Sequence, residues 1–106
     1  MSSETDRDEQ SGTATINKTR LQPPRKYKVL MHNDDYTTME FVVLVLQKYF
    51  NKNYNDAQEI MLAVHQRGFG VCGIYTYEVA ESKVAKVLKY ARENGHPLRC
   101  STEPES

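Results

Sequence analysis

The sequence predicts a small α/β (α+β) domain, a two-layer sandwich with the element order β-α-α-β-α-β, in which three helices pack on a three-stranded antiparallel sheet. The 106 residues fit one domain with its own core. Apolar side chains alternate with other residues along 27–32, which is typical of a strand with a buried face. Apolar residues then recur at helical spacing in three later stretches, separated by segments that contain Asn and Gly.

The first helix is predicted to begin at Met39. Thr37 and Glu40 have the spacing of a capping box, in which two side chains satisfy free backbone N–H groups of the first turn. The helix is expected to end at 51–53, where Asn-Lys-Asn breaks the apolar pattern. Asn55, three residues before a Gln, predicts the cap of the second helix.

Gly68 and Gly70 are expected to end the second helix and to open a strand over 71–75. The third helix is predicted to carry Glu78 and Glu81 in its first turn, where carboxylates complement the helix dipole.

The third helix should stop at Asn94-Gly95, before a short final strand over 97–101. Residues 1–22 are polar and almost free of large apolar side chains, so they are predicted to form a flexible extension. The core domain then covers 23–102, and 103–106 form a short frayed tail.

Charge and composition argue against several classes of function. The formal net charge is zero, whereas phosphate contacts to nucleic acid need a clustered excess of Lys and Arg. No apolar run approaches the about 20 residues of a membrane span, and no secretory signal is recognisable at the N-terminus. Cys72 and Cys100 are expected to be reduced, buried thiols of a cytosolic protein, although the sequence leaves a bridge between them open.

No catalytic constellation or metal site stands out. Asp34 and Asp35 are adjacent, and neighbours in an extended chain point to opposite sides rather than across one substrate. His65 and Cys72 lack an oxyanion loop and a third orienting group. The histidines and cysteines show no short ligand spacing, so no metal or other cofactor is expected, and the protein is predicted not to be an enzyme.

The run 33–41 is the most informative stretch, and it has two interpretations. Clusters of Asn, Asp and Thr after a strand usually supply turn and helix-cap chemistry. Alternatively, Asn33, Asp34 and Asp35 form the polar mouth of a pocket whose apolar floor begins at Met39. Such a pocket suits a ligand that is cationic at one end and apolar at the other. The free N-terminus of a polypeptide with a large apolar first side chain is one such ligand.

His65 also has two interpretations. Its position beside Val64, at the end of the second helix, is typical of a partly buried structural histidine. If that helix packs beside the Asn33–Asp35 loop, His65 instead joins the polar mouth. Met61 and Val64 then line the floor together with Val42.

A series of short motifs runs in order across about residues 23–102. In the first half they are Pro23-Pro24, Tyr27-Lys28-Val29, Asn33-Asp34-Asp35-Tyr36-Thr37, Met39-Glu40-Phe41-Val42 and Val45-Leu46-Gln47-Lys48. In the second half they are Met61-Leu62-Ala63-Val64-His65, Cys72-Gly73, Glu78-Val79-Ala80-Glu81, Lys83-Val84-Ala85, Lys89-Tyr90-Ala91-Arg92-Glu93-Asn94 and His96-Pro97-Leu98. Their order and spacing closely resemble those of the ClpS adaptor family.

The resemblance implies a function that composition does not show. ClpS adaptors bind proteins that carry a destabilising N-terminal residue (Leu, Phe, Tyr or Trp), and hand them to the ClpA unfoldase for degradation by the ClpP peptidase. By position, the residues that would receive the substrate α-amine are Asn33, Asp35 and His65, with Asp34 in support. The residues that would line the side-chain pocket are Thr37, Met39, Val42, Met61, Val64 and Leu98.

The resemblance also assigns roles outside the pocket floor. Met39 would be the gatekeeper that excludes β-branched first residues. Glu78 and Lys83 match family positions that contact the ClpA N-terminal domain, and residues 1–22 match the extension needed for hand-over. A monomeric protein in the cytoplasm is expected.

Two departures and two rival classes remain. Many relatives have proline in place of Thr38, so the first helical turn is expected to be slightly looser. The loop Gly68-Phe69-Gly70 also differs from common relatives.

The main rival is a docking module with no N-terminus pocket, similar to a ribosomal-stalk docking domain, which predicts no response to the first residue of a ligand. A small hydrolase comes third and predicts turnover.

Overall fold

The computed structural model describes residues 24–106, in which three helices and three strands follow the predicted order. The elements are β1 (Lys26–His32), α1 (Met39–Phe50), α2 (Tyr54–Arg67), β2 (Phe69–Thr76), α3 (Tyr77–Glu93) and β3 (Arg99–Pro104). The flexible extension predicted over 1–22 lies outside the described residues, as does residue 23. The predicted fold class is confirmed.

The strand order places three chain segments at one end of the sheet. β1 is central, with β2 and β3 antiparallel on its two sides. His32, the last residue of β1, pairs with Phe69 and Arg99, the first residues of the two outer strands. The loop after β1, the end of α2 and the start of β3 therefore meet at this end of the sheet. The opposite end, where Lys26 pairs with Thr76, leads directly into α3.

All three helices contribute side chains to one apolar core against the sheet. Val29 and Met31 of β1 are fully buried, as are Leu46 of α1, Ala57 of α2 and Val87 of α3. Burying each large aliphatic side chain contributes roughly 1.5–3 kcal/mol. This packing fixes α1 and α2 relative to β1, and the loop between β1 and α1 is held between them.

The N-cap of α1 is Thr38, so the prediction of Thr37 was wrong by one residue. Thr38 has the extended backbone of a cap, and its hydroxyl oxygen accepts a hydrogen bond from the Phe41 N–H at 3.1 Å. The Thr37 hydroxyl instead donates to the Asp34 carboxylate at 2.7 Å. Thr37 and Thr38 both carry a hydroxyl oxygen that could accept the capping hydrogen bond. Which of them caps α1 depends on where the helix begins, and it begins at Met39.

The start of α2 was also misplaced in the sequence prediction. Its N-cap is Asn53, whose side chain accepts a hydrogen bond from the Asp56 N–H at 2.8 Å, and Asn55 lies inside the helix. Glu78 lies in the first turn of α3 as predicted. Glu81 lies three residues further on and so falls beyond that turn, because α3 starts directly before Glu78.

The frayed tail predicted over 103–106 is wrong at its first two residues. β3 extends to Pro104, and it begins at Arg99 rather than at Pro97. Glu103 lies opposite Lys28 of β1, and their charged groups approach to 3.6 Å. Backbone pairing with β1 holds this polar segment in the sheet, although it has no alternating apolar pattern.

Cys72 and Cys100 are free thiols. Cys72 is fully buried and Cys100 is half-buried, on the two outer strands that β1 separates. Burial raises the pKa of the Cys100 thiol to about 12, and burial together with the neighbouring Cys100 raises the pKa of Cys72 further. Both thiols are therefore protonated at neutral pH. Within residues 24–106, none of the helices combines the length and the apolar character that crossing a membrane requires.

Candidate functional site

A cavity of about 390 Å³ lies where the loop after β1 meets the first turn of α1 and the end of α2. The residues that line it are Asn33, Asp34, Asp35, Tyr36, Thr37, Thr38, Met39, Val42, Met61, Val64 and His65. The fold thus brings together all the residues predicted for the amine site. It also brings together the predicted pocket residues, with the exception of Leu98.

The backbone of Asn33 is held from both sides. Its N–H donates a hydrogen bond to the Gly68 carbonyl at 2.9 Å, at the end of α2. Its carbonyl accepts a hydrogen bond from the Arg99 guanidinium of β3 at 3.1 Å. Gly68 can take this position because it caps α2 in the left-handed region, with φ of 93°. The start of the loop is therefore fixed to the end of α2 and to β3.

The Asp34 carboxylate stabilises the loop through hydrogen bonds to other loop residues. Its carboxylate accepts hydrogen bonds from the Tyr36 N–H at 2.8 Å, and from the N–H and the hydroxyl of Thr37, both at 2.7 Å. Burial by itself would raise the pKa of Asp34. The hydrogen bonds from Thr37 and Tyr36, together with the nearby Arg99 guanidinium, outweigh that effect and hold the pKa below its usual value. Asp34 is thus an ionised turn-forming residue.

Three polar side chains lie around the mouth of the cavity. Asn33 and Asp35 are exposed on the loop, and His65 is exposed in the last turn of α2. The second helix therefore packs beside the loop, as the pocket interpretation requires. His65 is not a partly buried core histidine, so that alternative is wrong. An amide oxygen, a carboxylate and an imidazole nitrogen all offer acceptors to a cationic group.

The floor of the cavity is apolar. Val42, Met61 and Val64 are at most 7% exposed and belong to the domain core. Thr37 is half-buried on the loop side. Met39, the first residue of α1, is 48% exposed and lies between the floor and solvent. The cavity therefore combines a polar mouth with an apolar floor.

Leu98 lies elsewhere. It is 5% exposed and packs in the core, and it does not line the described cavity. Conversely, Tyr36 and Thr38 line the cavity although neither was predicted to do so. Both belong to the run 33–41, so their place in that run was the available signal.

Glu78 and Lys83 lie on α3, which starts at the opposite end of the sheet from the loop. β1 spans seven residues, so its two ends are about 20 Å apart. Glu78 is exposed beside Arg25 and Tyr77. The Lys83 ammonium donates a hydrogen bond to the Tyr49 carbonyl at 2.9 Å, so its charge already stabilises the end of α1.

The cavity does not contain the nucleophile and base pair that the sequence suggested. The nucleophile considered above, Cys72, is buried in the core with a raised pKa and does not line the cavity with His65. The two carboxylates of the loop have different surroundings, because Asp34 is used internally while Asp35 is exposed. A cationic ligand group can contact Asp35 without displacing a hydrogen bond of Asp34.

Comparison with known proteins identifies a family. The family model described as "ATP-dependent Clp protease adaptor protein ClpS" matches residues 22–101. The ClpS adapter protein of Zymomonas mobilis is 53% identical over 105 residues, covering 97% of this chain and 98% of that protein. The ClpS adapter protein of Caulobacter vibrioides is 57% identical over 95 residues, covering 90% and 87% of the two chains.

A solved structure shares the fold. Agrobacterium tumefaciens ClpS2, bound to L-phenylalaninamide, superposes with a TM-score of 0.75 at 36% identity, over 78% of this chain and all of the other. The class that the fold and these matches define is that of adaptor proteins of an ATP-dependent protease. The chain belongs to the ClpS family.

Proposed function

We propose that this chain captures polypeptides through a free N-terminal Leu, Phe, Tyr or Trp and delivers them to the ClpA unfoldase for degradation by ClpP. The observation that carries the proposal is the cavity, in which a polar mouth adjoins an apolar floor. A first residue with an α-ammonium group and a large apolar side chain matches both parts at once.

The α-ammonium group is expected to bind at the mouth. A free α-amine has a pKa of about 7.7–8.0, so it is mostly cationic at neutral pH. Asn33, Asp35 and His65 offer acceptors to it, and hydrogen bonds to charged groups contribute roughly 1.5–3 kcal/mol each. Asp34 uses its oxygens within the loop, so we assign it the support of the mouth rather than direct contact.

The first side chain is expected to fill the floor formed by Val42, Met61 and Val64. Burying a Leu or Phe side chain contributes about 1.5–3 kcal/mol. Association costs at least about 4 kcal/mol, so neither half of the ligand alone reaches micromolar affinity. At the upper ends of these ranges the two halves together reach about −8 kcal/mol, which corresponds to micromolar affinity.

The ligand of the Agrobacterium relative supports this assignment. L-phenylalaninamide has a free α-amine and a large aromatic side chain, and its carboxamide stands in for the next peptide bond. It is therefore the smallest molecule that contains both groups required above.

Met39 is proposed as the gatekeeper between the mouth and the floor. It is the first residue of α1, and its side chain lies against the cavity beside Thr37 and Thr38. A β-branched first residue places a second substituent at Cβ, close to the ligand backbone. Met39 would clash with that substituent, whereas a first residue without branching at Cβ leaves room for the Met39 side chain.

Delivery is proposed to use the other end of the molecule. Glu78 and the surface around Lys83 would contact the ClpA N-terminal domain, and residues 1–22 would take part in hand-over. The described chain begins at Pro24, which lies in the same surface depression as Glu78. Pro24 is therefore about 20 Å from the amine site, at the end of the sheet where the proposed partner surface lies. The protein would act as a cytoplasmic monomer.

Binding is tested with a panel of fluorescent peptides that differ only in their first residue. We expect Leu, Phe, Tyr and Trp to bind with micromolar or tighter affinity by fluorescence anisotropy, and Ser or Gly to bind at least tenfold more weakly. Equal affinity for all first residues would favour the rival docking module.

Delivery is tested by degradation of a Leu-initiated fluorescent protein with ClpA and ClpP. Deletion of residues 1–17 should leave peptide binding unchanged and slow degradation. Glu78→Ala should act in the same direction, with Glu93→Ala at the other end of α3 as the control. Normal degradation by the deletion variant would show that the extension is dispensable.

A further inference from the structure

We infer that Met39 is a site of reversible oxidation by peroxide, and that its sulfoxide weakens the binding of apolar first residues. The effect on binding rests on the function proposed above. The modification step does not, because it follows from the exposure of the sulfur-bearing side chains alone.

Met39 is the accessible sulfur-bearing residue of the described chain. It is 48% exposed, whereas Met61 is 7% exposed and Met31 is fully buried. Oxidation of methionine follows exposure, so peroxide should reach Met39 first. Met1 lies outside the described residues.

The two cysteines do not compete for the oxidant. The thiolate, rather than the thiol, reacts with peroxide, and burial keeps both thiols protonated at neutral pH. Cys72 is in addition fully buried. A dose of peroxide that oxidises Met39 should therefore leave Cys72 and Cys100 reduced.

The reaction is a two-electron oxygen transfer. The thioether sulfur of Met39 attacks one oxygen of hydrogen peroxide, the O–O bond breaks, an S–O bond forms, and the peroxide is reduced to water. Methionine sulfoxide reductases reverse the change at the expense of a dithiol.

The position of Met39 explains why one added oxygen matters. Its side chain and that of Met61 line both the amine cavity and a second cavity of about 390 Å³ between α1 and α2. Val42 lines the first cavity, and Val43 and Leu44 line the second. A sulfoxide oxygen that faces these apolar groups is unfavourable, because they offer it no hydrogen bond. Solvent and the polar side chains of the two cavities do offer hydrogen-bond donors. The oxidised side chain should turn toward these donors, and the apolar floor then loses its contact with the Met39 thioether.

The test combines peptide mapping by mass spectrometry with fluorescence anisotropy of a Leu-initiated peptide, before and after graded hydrogen peroxide. We expect the added oxygen at Met39 before Met61 and Met31, and at least a tenfold loss of affinity once Met39 is modified. Circular dichroism should be unchanged, and treatment with methionine sulfoxide reductases A and B and a dithiol should restore binding.

Each variant is compared with its own untreated form. Met39→Leu cannot be oxidised at this position, so peroxide should leave its affinity constant, while the matched control Met61→Leu should still lose at least tenfold. Oxidation of Met61 or Met31 before Met39, or an equal loss of affinity in Met39→Leu, would overturn the inference. So would unchanged binding of protein fully oxidised at Met39. Untreated protein that does not bind the peptide would instead contradict the proposed function, and the mapped order of oxidation would still decide the modification site.

Discussion

The Arg99 guanidinium of β3 donates a hydrogen bond to the Asn33 carbonyl at 3.1 Å. On its other side, the Asn33 N–H donates to the Gly68 carbonyl at 2.9 Å. A residue at the mouth of the candidate site is thus fixed by β3 and by the end of α2, through contacts that lie far apart in the sequence. The loop is positioned by these neighbouring elements rather than by its own residues alone.

Replacing Arg99 should therefore weaken ligand binding without direct contact to the ligand. A hydrogen bond of this kind contributes roughly 0.5–1.5 kcal/mol, so Arg99→Ala should raise the Kd for a Leu-initiated peptide roughly two- to tenfold. Arg99→Lys should restore part of the affinity, because an ammonium group can still reach the Asn33 carbonyl. Arg92→Ala, which removes an exposed cation from the last turn of α3, is the control. Equal Kd values for Arg99→Ala and Arg92→Ala would remove Arg99 from this role.

Shortening Met39 should broaden the range of ligands. Met39→Ala shortens an exposed side chain that lines the cavity, so peptides that begin with Ile or Val should gain affinity relative to Leu. The matched control is Leu44→Ala, which shortens an exposed side chain on the same helix outside the amine cavity. Anisotropy with Leu-, Ile- and Val-initiated peptides measures the ranking. An unchanged preference for Leu over Ile in Met39→Ala would refute the gatekeeper role.

Asp34 should make the stability of the protein depend on pH in the acidic range. Its pKa is lowered in the folded state, so the unfolded state binds the proton more readily. The stabilisation is fully present above the unfolded pKa of about 3.9, and it is lost as the pH falls through the lower folded pKa. Urea unfolding at pH 7 and pH 3 should show a smaller difference in Asp34→Asn than in the wild type.

Thr37→Val provides a second test of the same contact. It keeps the shape of the side chain but removes the hydroxyl that donates to Asp34 at 2.7 Å. The loss of unfolding free energy of Thr37→Val between pH 7 and pH 3 should fall between the losses of the wild type and of Asp34→Asn. Identical pH dependence in all three proteins would show that Asp34 does not couple folding to protonation.

The first turn of α1 depends on the cap at Thr38. Thr38→Ala removes the acceptor of the Phe41 N–H and should lower the free energy of unfolding by about 1 kcal/mol, whereas Thr38→Ser should retain it. Thr38→Pro also loses the acceptor, but φ of −75° at this position suits proline, which restricts the unfolded chain. Its stability should lie between those of Thr38→Ala and the wild type in urea unfolding. An alanine variant as stable as the wild type would show that the cap contributes nothing.

Local patterns in the sequence were sufficient for the elements that carry strong periodicity. The alternation along 27–32 and the helix beginning at Met39 are both present in the structure. The polar loop and the apolar stripes of two helices suggested a pocket, with turn and cap chemistry as the alternative. Strand and helix periods determine which side chains share a face, but whether the second helix packs beside the loop was left open by the local pattern.

Contacts between distant segments were not predictable in the same way. Thr102, Glu103 and Pro104 carry no apolar alternation, and only backbone pairing with β1 makes them part of a strand. Leu98 was assigned to the pocket by resemblance; it packs in the core and is not among the residues that line the described cavity. The Arg99–Asn33 hydrogen bond joins residues 66 positions apart, which no local pattern indicates.

The comparison that tests the central proposal most directly uses two labelled peptides, identical and Leu-initiated, one with a free N-terminus and one N-acetylated. Acetylation removes the positive charge and donors of the α-amine and leaves the leucine side chain unchanged. We predict that the free peptide binds in fluorescence anisotropy with micromolar or tighter affinity and that the acetylated peptide does not bind measurably. Equal binding of both peptides would contradict capture of a free N-terminus by Asn33, Asp35 and His65.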